Sequence, residues 1–138
     1  ENRDGMDMAL CVIKEKDKVV EFSGAKNPLL YIQDNEINTI KGDKTPIGGL
    51  QTENQRKFSR HEVKVDKPTS FYIFSDGFQD QFGGEKNRKY MSVNFRNLIL
   101  KTSEFSMSEQ KNMIAKELSA WKGEKRQTDD ILIVGIEV

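Results

Sequence analysis

Two short motifs place carboxylates where a strand changes into a loop. In "YIFSDGFQDQFGG", Tyr72 to Gly84, an apolar run gives way to Ser75-Asp76-Gly77, and near the C-terminus Thr128-Asp129-Asp130 leads directly into the apolar run "ILIVGIEV". If the two runs are neighbouring antiparallel strands, the end of one and the start of the other lie at the same edge of a sheet. The carboxylates then converge, and Gly77 lets backbone approach closely. Aspartate oxygens gathered on a rigid rim suit a hard divalent cation such as Mg²⁺ or Mn²⁺, and such an ion activates water. Either motif alone is ordinary, since Asp-Gly is a common turn and Thr-Asp-Asp a common loop. The pair carries the signal.

Other titratable residues carry less. Asp80 lies four residues after Asp76, where it either orients waters or caps the turn. His61, the single histidine, begins an alternating segment and reads as a solvent-facing side chain rather than a catalytic acid. Lys86, Arg88 and Lys89 follow Gly83-Gly84 and read as a solvated loop, with phosphate or acidic-surface binding as the alternative. Cys11, the single cysteine, sits in "MALCVI" with no cationic neighbour and reads as a small buried hydrophobe rather than a reactive thiol.

The elements that must position these groups follow from pattern. "MALCVI" and "VVEFSGA" flank the polar turn "KEKDK", and "PLLYI" and "EINTI" flank Gln33-Asp34-Asn35, so two β-hairpins are predicted. Residues 41–60 are polar and rich in glycine and read as a long loop. "HEVKV" alternates as a half-buried strand, and "FYIF" reads as a strand buried on both faces. The segment after Ser75 reads as a polar Gly-rich loop. Ser92 is the predicted cap of a helix whose Phe95, Leu98 and Ile99 share one side. Ser106 and Glu109 have capping-box spacing for a second helix, on which Ile114, Leu118 and Trp121 share a face and which Gly123 ends. "ILIVGIEV" closes the chain as a second buried-type strand. Several strands, two helices and a closing strand favour an α+β fold with antiparallel sheet.

The chain has 138 residues, which suits one domain around one core. With 22 basic and 22 acidic residues its net charge is zero, so no overall field draws nucleic acid or an anionic membrane. No apolar run reaches the roughly 20 residues of a membrane span, and the start lacks the pattern of a signal peptide. A lone cysteine fits a reducing cytoplasm.

The ordered segments "DGMDMALCVI", "SGAKNPLLYI", "KGDKTPIGG", "FSDGFQDQFGG" and "TDDILIV" resemble the metal-dependent (PPM, type 2C) serine/threonine phosphatases, specifically the bacterial SpoIIE-like branch. The resemblance implies an antiparallel β-sandwich with flanking helices and a two-metal Mn²⁺ or Mg²⁺ site that hydrolyses phosphoserine or phosphothreonine through an activated water. By motif match Asp76 and Asp129 are ligands of one metal. Gly77 and Asp130 support them, Asp130 from behind, because alternation along a strand lets only one of two successive side chains face the metal. The family's Gly-His-Gly segment, with its bridging aspartate, belongs upstream of "DGMDMAL" and is absent. Asp4-Gly5 reads as a loop leading into a strand instead. Residues 1–138 are therefore expected to be the C-terminal portion of the domain, inert alone and prone to self-association. The implied partners are a phosphorylated protein, by analogy an anti-sigma-factor antagonist, and an upstream sensor domain in a parent that is cytoplasmic or membrane-tethered. The competing class is a non-catalytic signalling or interaction domain that keeps the fold.

Overall fold

A computed structural model of the chain describes residues 4–49 and 56–138. β1 (Gly5–Met6) precedes the first hairpin, β2 (Met8–Lys14) with β3 (Val19–Ala25), whose polar turn winds into a single 3-10 turn over Glu15–Asp17. β4 (Leu29–Gln33) and β5 (Glu36–Ile40) form the second hairpin. Its turn residues Asp34 and Asn35 both have positive φ, 53° and 60°, the geometry that matches the right-handed twist of the strands and that these two residue types tolerate. The long loop contains β6 (Ile47–Gly48), paired with β1, while positions 50–55 of it lie outside the described residues. β7 (His61–Lys64) and β8 (Ser70–Phe74) follow where alternation and apolar character put them.

After β8 the chain departs from the expected loop. It folds into α1 (Gly77–Asp80) and a small hairpin of β9 (Phe82–Gly83) and β10 (Arg88–Lys89). Buried aromatic residues drive this: Phe78 is fully buried, with its ring 5.0 Å from Tyr90 and 5.2 Å from Phe95. α2 (Ser92–Thr102) and α3 (Met107–Lys122) then pack on the sheet, and β11 (Ile133–Glu137) ends the order. The cap expected at Ser92 is not formed. Met91 holds the N-cap position at φ 78° without a side-chain bond, and Ser92 is the first helical residue. On α3 the capping box of Ser106 and Glu109 is complete, and Gly123 ends the helix at φ 55°.

The main layers are a four-stranded sheet, β11-β8-β4-β5, and a three-stranded sheet, β2-β3-β7, with every named strand pair antiparallel. The fold is thus α+β, as expected. Its interior is not the expected single core but two clusters on opposite faces of the four-stranded sheet. Leu29 and Phe71 pack with Val20, Phe22 and Val63 between the sheets. Their neighbours Leu30 and Tyr72 point the other way, into a cluster with Phe74, Phe78, Phe95 and Ile99 beneath the helices. β8 therefore reads as unbroken apolar sequence because both its faces are covered. β11, read as equally buried, is instead an edge strand with no fully buried residue, and Leu132 before it is 63% exposed.

Candidate metal centre

β8 and β11 pair with Phe74 opposite Ile133, so Ser75-Asp76-Gly77 and the 128–132 segment meet at one edge of the sheet. Each residue of the triplet has a separate job. The Ser75 hydroxyl donates to the Asp130 carbonyl at 2.8 Å and accepts from the Leu132 amide at 2.9 Å, while the Ser75 amide donates to Leu132 O at 3.0 Å. One hydroxyl acting as donor and acceptor thereby fastens the second loop to the first. Gly77 is buried, and a Cβ there would lie 2.9 Å from the Asp130 carbonyl carbon and closer still to its oxygen. Only glycine leaves room for that approach. Asp76, between them, is exposed and makes no side-chain cap bond to α1, so its carboxylate is presented outward.

The second loop is held at its other end as well. Gln81, fully buried, donates from Nε2 to the Arg126 carbonyl at 3.1 Å and to Phe82 O at 3.0 Å. Its own carbonyl accepts from the Trp121 indole at 2.9 Å and from the Tyr90 amide at 3.0 Å. Gln81 Oε1 is buried without a partner among the described residues. Sequence reading missed Gln81, and nothing local separates it from Gln79, which is only partly buried. Ser75 and Gln81 together clamp the segment that carries Asp129 and Asp130.

Those two aspartates precede β11 rather than lie in it, so strand alternation does not sort them. Hydrogen bonding distinguishes them instead. Asp129 Oδ1 accepts from the Asp130 amide at 2.7 Å, whereas Asp130 contributes its backbone carbonyl to Ser75. Both side chains are exposed. Asp80, at the end of α1, pairs with Lys89 at 3.1 Å, and both side chains are nearly half exposed. Such a pair contributes about 0–1 kcal/mol. Lys86, in the turn of the β9-β10 hairpin, and Arg88, on β10, are both exposed. His61 is not solvent-facing: it shares the inward face with Val63 and sits partly buried with its ring 6.3 Å from Phe22. Cys11 is half-buried rather than buried as expected, because it lies on the sparsely covered strand β2, and the burial it has raises its thiol pKa.

Exposed carboxylate oxygens are the donor type that suits a hard divalent cation. Among the described residues no group of three or more histidine, cysteine, aspartate or glutamate side chains is assembled to hold a metal. Asp76 and Asp129 lie on adjoining loops at this edge, fastened to each other through Ser75 and the Asp130 carbonyl.

The layered antiparallel sheets, the packed helices and the aspartate loops at one sheet edge define a PP2C-type (PPM) phosphatase fold. The chain belongs to the Stage II sporulation protein E (SpoIIE) family, whose model matches residues 1–138. Its structure superposes on the SiaA-PP2C domain of Pseudomonas aeruginosa with a TM-score of 0.86 at 28% identity, covering 96% of this chain and 51% of that one. The phosphatase domain of SpoIIE from Bacillus subtilis matches with a TM-score of 0.66 at 12% identity, over 94% of this chain and 57% of that one. The catalytic domain of the serine/threonine phosphatase PstP, in complex with two manganese ions, matches with a TM-score of 0.60 at 13% identity, over 97% and 59%. The chain therefore spans little more than half the length of these structures. No curated protein matches it. Among the described residues no helix is long and apolar enough to cross a membrane.

Proposed function

We propose that this chain forms part of a metal-dependent protein serine/threonine phosphatase acting in bacterial signalling. The observation that carries the reading is the clamp of Ser75 and Gly77 on Asp130, which sets the Asp76 and Asp129 loops side by side at the rim of a rigid sheet. Asp76 and Asp129 would hold one divalent cation, Mn²⁺ or Mg²⁺, and Asp130 supports the loop through its carbonyl. When bound, such an ion supplies Lewis acidity toward water and phosphoryl oxygens. The protein's own contribution is positional: Ser75 and Gln81 fix the ligand loop, and the two aspartates face open solvent where a phosphorylated side chain of another protein can reach them. A phosphorylated anti-sigma-factor antagonist is the proposed substrate, by family analogy alone.

Two carboxylates do not complete a two-metal site, so the 138-residue chain by itself is expected to release no phosphate. The test is phosphate release from a phosphoserine peptide with Mn²⁺ by the full-length protein and its variants. Asp76→Asn and Asp129→Asn should each lower the rate by at least about 10²-fold, because each removes a charge that the cation requires. Near-normal turnover in either variant rejects the assignment. A second reading, a non-catalytic signalling domain with the same fold, is favoured by the lack of a three-ligand cluster among the described residues. A full-length wild type without metal-dependent activity would select it.

A further inference from the structure

The sheet edge that carries Asp76 has a second pole of opposite charge. Leu29 pairs with both Ile40 and Ile73, so β4 begins and β5 ends at the edge where β8 ends. The turns there supply Lys26 and Lys41, and α2 supplies Arg96, and the three line one cavity of about 340 Å³. Leu30, Phe74 and Phe95 give it an apolar floor. Among the described residues no carboxylate lines it. Lys26 has a loose pairing with Asp7 at 3.4 Å, while Lys41 and Arg96 make no ion pair among the described residues. In a chain of zero net charge, three cations around one concave site with no carboxylate among its described lining residues are a local segregation. Ser92, the first residue of α2, also lines the cavity, and that helix lacks a side-chain cap, so its partial positive end adds to the field.

The cavity and the aspartate loops are close. α1 joins them directly, since Gln79 lines the cavity three positions after Asp76. The cavity starts at the end of β8, where Phe74 lines it, and reaches across β4 and β5, so at about 4.8 Å per strand it extends roughly 5–10 Å along the rim. An extended peptide advances about 3.3 Å per residue and covers that distance in roughly two or three residues. We propose that this cavity is a substrate subsite that receives an acidic side chain, with an apolar neighbour on the floor, two or three residues from the phosphorylated residue. The proposal rests on the phosphatase reading above, which names the group bound at the aspartates. The cations choose the acidic residue, and the floor of Leu30, Phe74 and Phe95 favours an apolar side chain beside it.

The experiment measures fluorescence anisotropy of labelled phosphoserine peptides with the chain, without metal and at low salt. One peptide carries Glu-Leu beginning two residues from the phosphoserine, and its control carries Gln-Leu. The Glu peptide should bind at least about tenfold more tightly, and raising the salt to about 1 M should erase most of the preference. Lys41→Gln combined with Arg96→Gln should reduce the preference below about threefold without changing the melting temperature, because both side chains are exposed. Equal binding of the two peptides, or a preference that survives the double variant, overturns the subsite. Tighter binding to phosphatidylserine vesicles than to the Glu peptide also overturns it. Hydrolysis of p-nitrophenyl phosphate by the full-length protein separates the two readings, since this substrate is too small to need the cavity. Acid-selective peptide binding without that hydrolysis removes the phosphatase reading alone.

Discussion

Gly77→Ala is the sharpest test of how the rim is built. The added methyl carbon would stand 2.9 Å from the Asp130 carbonyl carbon and 3.0 Å from Ile131 Cγ1, with the Asp130 oxygen nearer than either. Carbon atoms in ordinary contact sit about 3.5–4.0 Å apart, so the 130–131 backbone must retreat by roughly 0.6–1 Å. That movement lengthens both bonds of the Ser75 hydroxyl, now 2.8 and 2.9 Å, toward the limit for hydrogen bonding. Losing two such bonds costs about 1–3 kcal/mol, and crowding a packed site typically costs about 1–3 kcal/mol. The two costs overlap because they are alternative responses to one clash, so about 2–4 kcal/mol is the expected total. For a chain of this size that lowers the melting temperature by roughly 6–15 °C. A shift of about 1 Å in a ligand loop also costs on the order of 10²-fold in turnover by the full-length protein. Ser75→Ala is the companion variant: it removes the hydroxyl bonds without the clash and should fall between wild type and Gly77→Ala. Differential scanning calorimetry of the chain and phosphate release by the full-length protein are the assays. A Gly77→Ala protein that melts within about 2 °C of wild type, with unchanged turnover, would show that the contact at Asp130 is not what places the loop.

Phe78→Ala should destabilise the chain by about 3–5 kcal/mol, because a fully buried ring in contact with Tyr90 and Phe95 leaves a cavity; denaturant midpoints with an unchanged slope would measure it. Glu109 is held below its ordinary pKa of 4.5 by the hydroxyl and the backbone amide of Ser106. A depressed carboxylate stabilises the fold above its unfolded value and loses that effect as pH falls through the folded value, so Glu109→Ala should melt below wild type at pH 7 and converge with it below about pH 3. The isolated chain is expected to form dimers or larger assemblies, since β2 pairs only with β3 among the described residues and exposes Leu10 at 48% and Val12 at 43%. A monomeric mass by light scattering at micromolar concentration would reject that.

What could be read in advance was what the chain encodes locally. The Asp34-Asn35 turn, the Ser106-Glu109 capping box and the Gly123 stop each depend on residues within a few positions, and each forms as read. The α1 helix and the β9-β10 hairpin were not legible, because their stability comes from Phe78, Gln81 and Tyr90 meeting Phe95 and Trp121 on distant elements. The failed cap at Ser92 has the same origin. Met91 N donates to Gln79 O and Tyr90 N to Gln81 O, and these bonds set the chain's entry angle before the helix starts. At the candidate site the aspartates were visible, but their support was not: Ser75 finds its partners 55 and 57 residues further along. A serine and a glycine beside an aspartate look like a turn until the opposing loop is known.

The two poles of the rim follow from one physical constraint. A sheet covered on both faces has few freedoms left, so groups that must hold fixed mutual distances are best set at strand ends, where loops reach solvent but their anchors do not move. β8 and β4 are the covered strands here, with Leu29, Leu30, Phe71 and Tyr72 all buried. Asp76 leaves the end of β8, and Lys26 and Pro28 lead into the start of β4, so strand pairing sets the spacing between acid and base. Separating the charges also serves chemistry. A cation between the aspartates needs them undiverted by neighbouring lysines, and an acidic side chain in the basic cavity needs lysines not already satisfied by aspartates. Acid and base do meet at two exposed pairs, Asp7 with Lys26 at 3.4 Å beside the cavity and Asp80, at the end of α1, with Lys89 of β10 at 3.1 Å. The zero net charge of the chain thus conceals a rim on which strand order sets the Asp76 loop apart from Lys41 and Arg96.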